Sequence, residues 1–192
     1  MDCKFTAGEI KACLSHASKD PTRFHLNGVH AGNGYLCATD GHRLIQIRRN
    51  ASDRGELLLR AVAVAGIARM PKARDVRVNG VVEAYSKDGA ALASLPTAAA
   101  MIDAVFPPVD QVMPDMAKYV TIGVNPDYLA DAAAACRAAG VGKDRGVKLH
   151  FDPTDPLAPI VVTAEGESTE SATEIKILIM PRALADRRAA TG

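Results

Sequence analysis

The chain contains no tryptophan, and aromatic residues make up only 4% of it. A core built from such a sequence rests on Ala, Val, Leu and Ile, which suits slender helices packed on sheets. It also lacks an excess of charge: 23 Lys and Arg face 22 Asp and Glu, for a formal net charge of +1. That excludes a polybasic nucleic-acid arm, so any DNA contact has to come from local placement of basic residues. No apolar run approaches the roughly 18 residues that a membrane helix needs, and no long apolar stretch follows a basic start as a secretory signal would. The four cysteines, Cys3, Cys13, Cys37 and Cys136, are scattered without a C-x-x-C pair. They read as reduced thiols of a cytoplasmic protein.

What is present is repetition. With 192 residues, 48% of them hydrophobic, the chain has enough material for one large domain or two small ones. It reads three times as a strand, a helix and several short strands. In the first unit, from about Cys3 to Ile47, Thr6 and Glu9 form a capping box, and Ile10, Cys13, Leu14 and Ala17 make one apolar helical face. Strands are expected over Phe24–Val29, Tyr35–Thr39 and Arg43–Ile47, with turns at Gly32-Asn33-Gly34 and Asp40-Gly41. The second unit, from about Glu56 to Pro114, predicts a strand over Glu56–Arg60, a helix over Val62–Met70, and strands over Val76–Val78, Val81–Tyr85 and Ala90–Leu95. The third, from about Tyr119 to Leu184, opens its helix at Asn125-Pro126-Asp127 and presents Leu129, Ala132, Ala133 and Cys136 as an apolar face. Strands follow over Val147–Phe151, Ile160–Thr163 and Glu174–Ile179, in the last of which Ile175, Ile177 and Ile179 share one face. The expectation is an α+β protein of repeated βαβββ units, with antiparallel sheets and helices on one face. Its domains would be 1–114, holding two units, and 115–184, holding one, before a flexible tail at 185–192.

Chemistry is sparse. Asp40 and His42 could pair as acid and base, but no nucleophile stands near them in sequence, and Asp40 in a turn ordinarily caps backbone. Neither Cys37 with His42 nor His25 with His30 has the spacing of a metal site. The glycine-rich stretch Gly140–Gly146 follows a helix and leads into a strand, the reverse of a phosphate cradle. No catalytic residue, metal or cofactor is expected. Basic residues recur near each helix: Lys11, Lys19 and Arg23; Arg69, Lys72 and Arg74; Arg137, Lys143 and Arg145. A common helix face carrying them could follow a phosphate backbone without reading sequence. Pro107-Pro108, Val112-Met113-Pro114 and Met180-Pro181 form adaptable, donor-poor segments of the kind found in peptide grooves.

Four segments resemble the bacterial DNA polymerase III β sliding clamp: Thr22–Val29 with Ala38–Leu44, Phe106–Pro114, Val124–Leu129 and Leu178–Pro181. Their order matches the clamp's middle domain followed by the second half of its last domain. The resemblance implies the DNA-clamp fold and an accessory, non-enzymatic role in replication processivity. It implies two kinds of partner: double-stranded DNA held without sequence preference, and peptide motifs of DNA polymerase or other clamp partners. Carried over by residue, the peptide site would use Thr39, Gly41, His42, Arg43, Leu44, Pro107, Val112, Leu178, Met180 and Pro181. DNA would face Lys11, Lys19, Arg23, Arg69, Lys72, Arg137, Lys143 and Arg145. Departures fall at Pro108, Gln111 and Arg182, where the clamps have an acid, an arginine and an apolar residue. Three units in place of the clamp's six also imply a homo-oligomer, with two chains pairing their third units and two such dimers matching the ring's twelve. A phage or mobile-element gene would suit so short a clamp. A peptide-binding module that competes for clamp partners without forming a ring is the alternative.

Overall fold

The computed structural model describes residues 3–32, 34–48, 56–142, 146–166 and 174–183. The chain forms two compact units, Met1–Val112 and Met113–Gly192. Among the described residues no helix is long and apolar enough to cross a membrane.

In unit 1 the order is β1 (Cys3–Thr6), α1 (Ala7–Leu14), β2 (Gly28–Gly32), β3 (Tyr35–Thr39) and β4 (Leu44–Arg48). It then repeats as β5 (Leu57–Arg60), α2 (Ala61–Ala68), β6 (Asp75–Val78), β7 (Val81–Tyr85) and β8 (Ala91–Pro96), followed by a single helical turn, α3 (Thr97–Ala100). The expected capping box starts α1: the Thr6 amide donates to Glu9 Oε2 at 2.7 Å, and the Glu9 amide donates to Thr6 Oγ1 at 3.1 Å.

The two repeats are not self-contained. One sheet runs β1-β6-β7-β8 and the other β4-β3-β2-β5, so each repeat lends its first strand to the other's sheet. In the antiparallel registers, Cys3 faces Val78 and Phe5 faces Val76, while Leu57 faces Ala31 and Leu59 faces Val29. All eight of these side chains are buried. The helices complete one core, in which Ile10 and Cys13 of α1 and Val64, Ile67 and Ala68 of α2 pack with strand residues from both sheets.

Unit 2 has one repeat: α4 (Pro126–Ala138), β9 (Lys148–His150), β10 (Ile160–Glu165) and β11 (Glu174–Ile179), with sheet order β11-β10-β9. Asn125 caps α4 through the Asp127 amide at 3.1 Å, as its sequence predicts. Gly140, at φ +66°, ends it. The Val141 amide then reaches the Cys136 carbonyl at 3.0 Å, and the Gly140 amide that of Arg137 at 3.1 Å, a Schellman closure. In β11, Ile179 is buried and Ile175 and Ile177 half-buried, while Lys176 and Leu178 face out.

Several expectations need correction. Pro21–Leu26 is a 3₁₀ helix, not the start of a strand, because Asp20 Oδ1 accepts the Thr22 amide at 2.9 Å and Pro21 presets the first turn. His25 therefore sits on a helical turn, not on extended chain. The helix expected over Val62–Met70 is Ala61–Ala68, its end preceding Pro71 by a turn. The strand expected before α4 does not pair: Tyr119–Val124 belongs to no sheet. Asn33, Lys143, Arg145 and the tail 185–192 lie outside the described residues.

Phe5→Ala should test the shared core. Removal of this fully buried ring is expected to lower the stability of unit 1 by about 3–5 kcal/mol, read as an earlier urea midpoint. A loss below about 1 kcal/mol would mean that β1 is not integral to its sheet.

Candidate functional site

The β3–β4 turn is built by two short side chains. Thr39 Oγ1 accepts the Gly41 amide at 3.0 Å and donates to the Arg43 carbonyl at 2.8 Å. Asp40 Oδ1 accepts the amides of His42 at 3.0 Å and Arg43 at 3.1 Å, and Oδ2 accepts from Arg43 Nε at 3.0 Å. Gly41 suits the turn because its φ is +89°, a conformation that strains other residues. The backbone amide of His42, followed by the side chain and amide of Arg43, holds the Asp40 carboxyl down to about 2 from an ordinary 3.8. At neutral pH Asp40 is thus a fixed anion occupied with backbone, and not a base for His42. His42 projects exposed from the turn. Arg43 is pinned at both ends, donating also to the Ser15 carbonyl at 2.8 Å.

The turn belongs to a larger surface. Along β3, Leu36 and Ala38 enter the core, so Tyr35, Cys37 and Thr39 face the other way. Their cross-strand neighbours Arg48, Gln46 and Leu44 share that outer face. The segment from Phe106 to Asp110 lies across it. Phe106 is buried and stacks on His30 at 4.9 Å with planes 5° apart, and Val109 packs with Cys37, Leu58 and Ile102. A groove of about 270 Å³ remains, lined by Tyr35, Cys37, Gln46, Pro107 and Asp110 among others.

Burial lowers the His30 imidazole below its ordinary range despite Glu56 Oε2 at 3.9 Å, and its buried Nδ1 has no hydrogen-bond partner among the described residues. Burial likewise pushes the Cys37 thiol up to about 11, with Asp110 adding to it. Burial thus disfavours charge on both groups, and Gln46, Glu56 and Asp110 add polar lining beside Phe106, Pro107 and Val109. Of the sequence-derived peptide residues, Thr39, Leu44 and Pro107 belong to this face or its groove; Val112 follows on the same segment and is exposed. Leu178 and Met180 are exposed on unit 2, with Pro181 adjoining. Sequence reading missed Tyr35, Gln46 and His30, and singled out the segment Phe106–Pro114 without assigning Phe106 a contact. The period-2 alternation through β3 and β4 could have flagged the first two, whereas nothing local signals the His30–Phe106 stack.

Of the basic residues assigned to DNA, Lys11, Lys19, Arg69, Lys72 and Arg137 are exposed. Lys11 and Lys72 meet in a cleft of about 590 Å³ that also holds Arg74 and Lys87. Arg23 is exposed as well, with Nη1 3.4 Å from the Asp40 carbonyl oxygen and Nε 3.8 Å from Asp20. No group of three or more His, Cys, Asp or Glu residues among the described ones is placed to hold a metal.

No family model matches the chain, and no curated protein matches it by sequence. Solved structures do match. The DNA polymerase sliding clamp from Bacillus subtilis aligns with a TM-score of 0.64 at 15% identity, over 94% of this chain and 49% of the clamp. The DNA polymerase III subunit beta from Pseudomonas aeruginosa aligns with a TM-score of 0.57 at 16% identity, over 95% and 52%. The sliding clamp from Bartonella birtlesii, solved bound to griselimycin, aligns with a TM-score of 0.58 at 20% identity, over 95% and 52%. The chain therefore has the sliding-clamp fold and spans about half the length of these clamps.

The turn carries its own pH test. A carboxyl depressed from 3.8 to about 2 lends its support above the unfolded value and loses it as pH falls through the folded one. The His42 and Arg43 amide signals are expected to titrate with a midpoint near 2; a midpoint near 3.8 would mean that the amide bonds do not hold in solution.

Proposed function

We propose that this protein is a clamp-like replication accessory factor, which captures a short linear peptide with apolar anchors and tethers its owner to duplex DNA. The observation that carries the reading is the sliding-clamp fold over nearly the whole chain. The proposed partners are DNA polymerase or other proteins with clamp-binding motifs. Peptide contact is assigned to Thr39, Gly41, His42, Arg43, Leu44, Pro107 and Val112, and to Leu178, Met180 and Pro181. Leu44, Val112 and Met180 receive apolar anchors, while His42 and Arg43 contact peptide polar groups. The rigidity of the turn supports this role, because a preformed surface avoids the entropy of ordering on binding.

DNA contact is assigned to Lys11, Lys19, Arg69, Lys72 and Arg137, with Lys143 and Arg145. Such contact neutralises phosphates without reading bases, so it weakens steeply with salt. Arg23 contributes less, being occupied at the turn. Copies of the chain associate around the duplex. The alternative, a module that binds partner peptides without encircling DNA, is favoured by one observation. On α2 the exposed positions include Val62 and Gly66, and on α4 they include Asp131 and Ala134, none of them basic.

Two measurements test the reading. Leu44→Asp and Met180→Asp should each weaken binding of a clamp-binding peptide by about tenfold or more while leaving the thermal midpoint unchanged. A labelled partner peptide should be retained by the protein on closed circular DNA and lost from linear DNA. Equal retention on both forms would remove the encircling tether and leave the module.

A further inference from the structure

We infer that unit 2 is half of a strand-exchanged domain, and that its missing half is unit 2 of a second copy of this chain. The inference rests on the proposed function only in requiring that copies associate. It needs neither DNA nor peptide.

Unit 1 provides the template. There each repeat's first strand ends at the cap of its helix, Thr6 before α1 and Arg60 before α2, and lies in the other repeat's sheet. The residue three before each cap faces the first strand after the other helix: Cys3 against Val78, Leu57 against Ala31. In unit 2 the cap is Asn125, so the matching segment is Tyr119–Val124, with Ile122 and Val124 at the apolar positions held elsewhere by Cys3 and Phe5, or Leu57 and Leu59.

One edge of that segment is used as in unit 1. The Leu58 carbonyl accepts the Ile102 amide at 2.8 Å from chain that follows β8; the Gly123 carbonyl accepts the Arg182 amide at 2.8 Å from chain that follows β11. The opposite edge, which in β5 pairs with β2, has no counterpart: the N–H and C=O groups of Ile122 and Val124 have no backbone partner among the described residues. Among the described residues the receiving edge is empty as well, because β9 ends its sheet where β6 accepts β1 and β2 accepts β5.

The side chains report the same gap. Leu149 stands opposite buried Val162, as Val78 stands opposite Val82 and Ala31 opposite Leu36. Val78 and Ala31 are 1% and 2% exposed, yet Leu149 is 54% exposed. Val147, two residues back on that face, is 48% exposed, where its counterparts Val76 and Val29 are at 0%. On the helices, the fourth residue is Ile10 in α1 and Val64 in α2, both at 0%, but Leu129 in α4 is 40% exposed. Positions that bury in a complete pair of repeats are uncovered in the single one. An open strand edge beside an apolar face is a surface that a folded protein covers.

Two copies related by a twofold axis satisfy both needs at once, each giving a strand and accepting one. The register transferred from unit 1 sets Ile122 of one copy against Leu149 of the other, and Val124 against Val147. Helices α4 then meet across the axis through Leu129, as α1 and α2 meet in unit 1. One bond of the template is not available: the amides of Ala7 and Ala61 reach Arg74 and Asn27 carbonyls across the exchange, whereas Pro126 has no N–H to donate.

Light scattering and sedimentation of the full chain, without DNA or peptide, should give a dimer or a multiple of it at micromolar concentration. Leu149→Asp and Leu129→Asp should each raise the dimer dissociation constant by about tenfold or more. Both residues are exposed in the single chain, so the circular dichroism spectrum should not change. Val62→Asp, on exposed surface of unit 1, should leave association intact. Hydrogen exchange should show the Ile122 and Val124 amides protected at high concentration and released on dilution. A wild-type monomer, or association indifferent to both substitutions, or no concentration-dependent protection at Ile122 and Val124, would overturn the exchange. Failure of circle-specific retention would instead count against the tether alone.

Discussion

Unit 1 depends on the reciprocal loan of one strand between its two repeats. Phe5 completes a sheet belonging to the second repeat, and Leu59 completes one belonging to the first. Hydrogen bonding and apolar burial are coupled here, because the strand that fills a sheet edge also carries the side chains that close the core. Neither repeat can therefore leave without exposing the other, and two small repeats behave as one domain. The same arithmetic of edges explains why a single repeat, as in unit 2, has apolar positions with nothing over them.

That constraint also sets up the candidate site. With Leu36, Ala38, Ile45 and Ile47 turned toward the shared core, the alternate residues of β3 and β4 are left facing out. The Phe106–Asp110 segment then converts an open sheet face into a groove. The β3–β4 turn sits at the end of this face, and its stiffness comes from side chains satisfying backbone groups, which leaves His42 as the free polar tip. The tempting Asp40–His42 pair thus dissolves into a structural carboxylate and an exposed imidazole.

Much of this was legible in the sequence. The Thr6–Glu9 capping box, the Asn125-Pro126 helix start, the Asp40-Gly41 turn and the alternation through Ile175, Ile177 and Ile179 each depend on neighbours close in the chain, and each appears where local chemistry put it. Partnering was not legible. A period of two tells which face of β1 is apolar but not that Val76 and Val78 will cover its edge. Helical spacing placed Leu129 with Ala132 and Cys136, yet Leu129 is 40% exposed, with no second α-helix in unit 2 among the described residues. Phe24 looked like a strand residue because Phe24 and Leu26 alternate with His25 and Asn27, but Asp20 and Pro21 bend that stretch into a 3₁₀ turn. The His30–Phe106 stack joins distant residues and left no local trace.

The crossed strand pairing has a temporal side. Sheet β4-β3-β2-β5 is made from consecutive chain, so it can close as soon as Leu57–Arg60 has been synthesised. Sheet β1-β6-β7-β8 cannot, because Cys3 has to wait for Val78. Strand β1 is synthesised well before its partner β6, and its non-local closure is the slow kind. In that interval α1 can dock on the early sheet while Phe5 stays uncovered. A nascent chain stalled before β6 would therefore display β1 as an unpaired, sticky strand, the point at which holdase chaperones would be most needed.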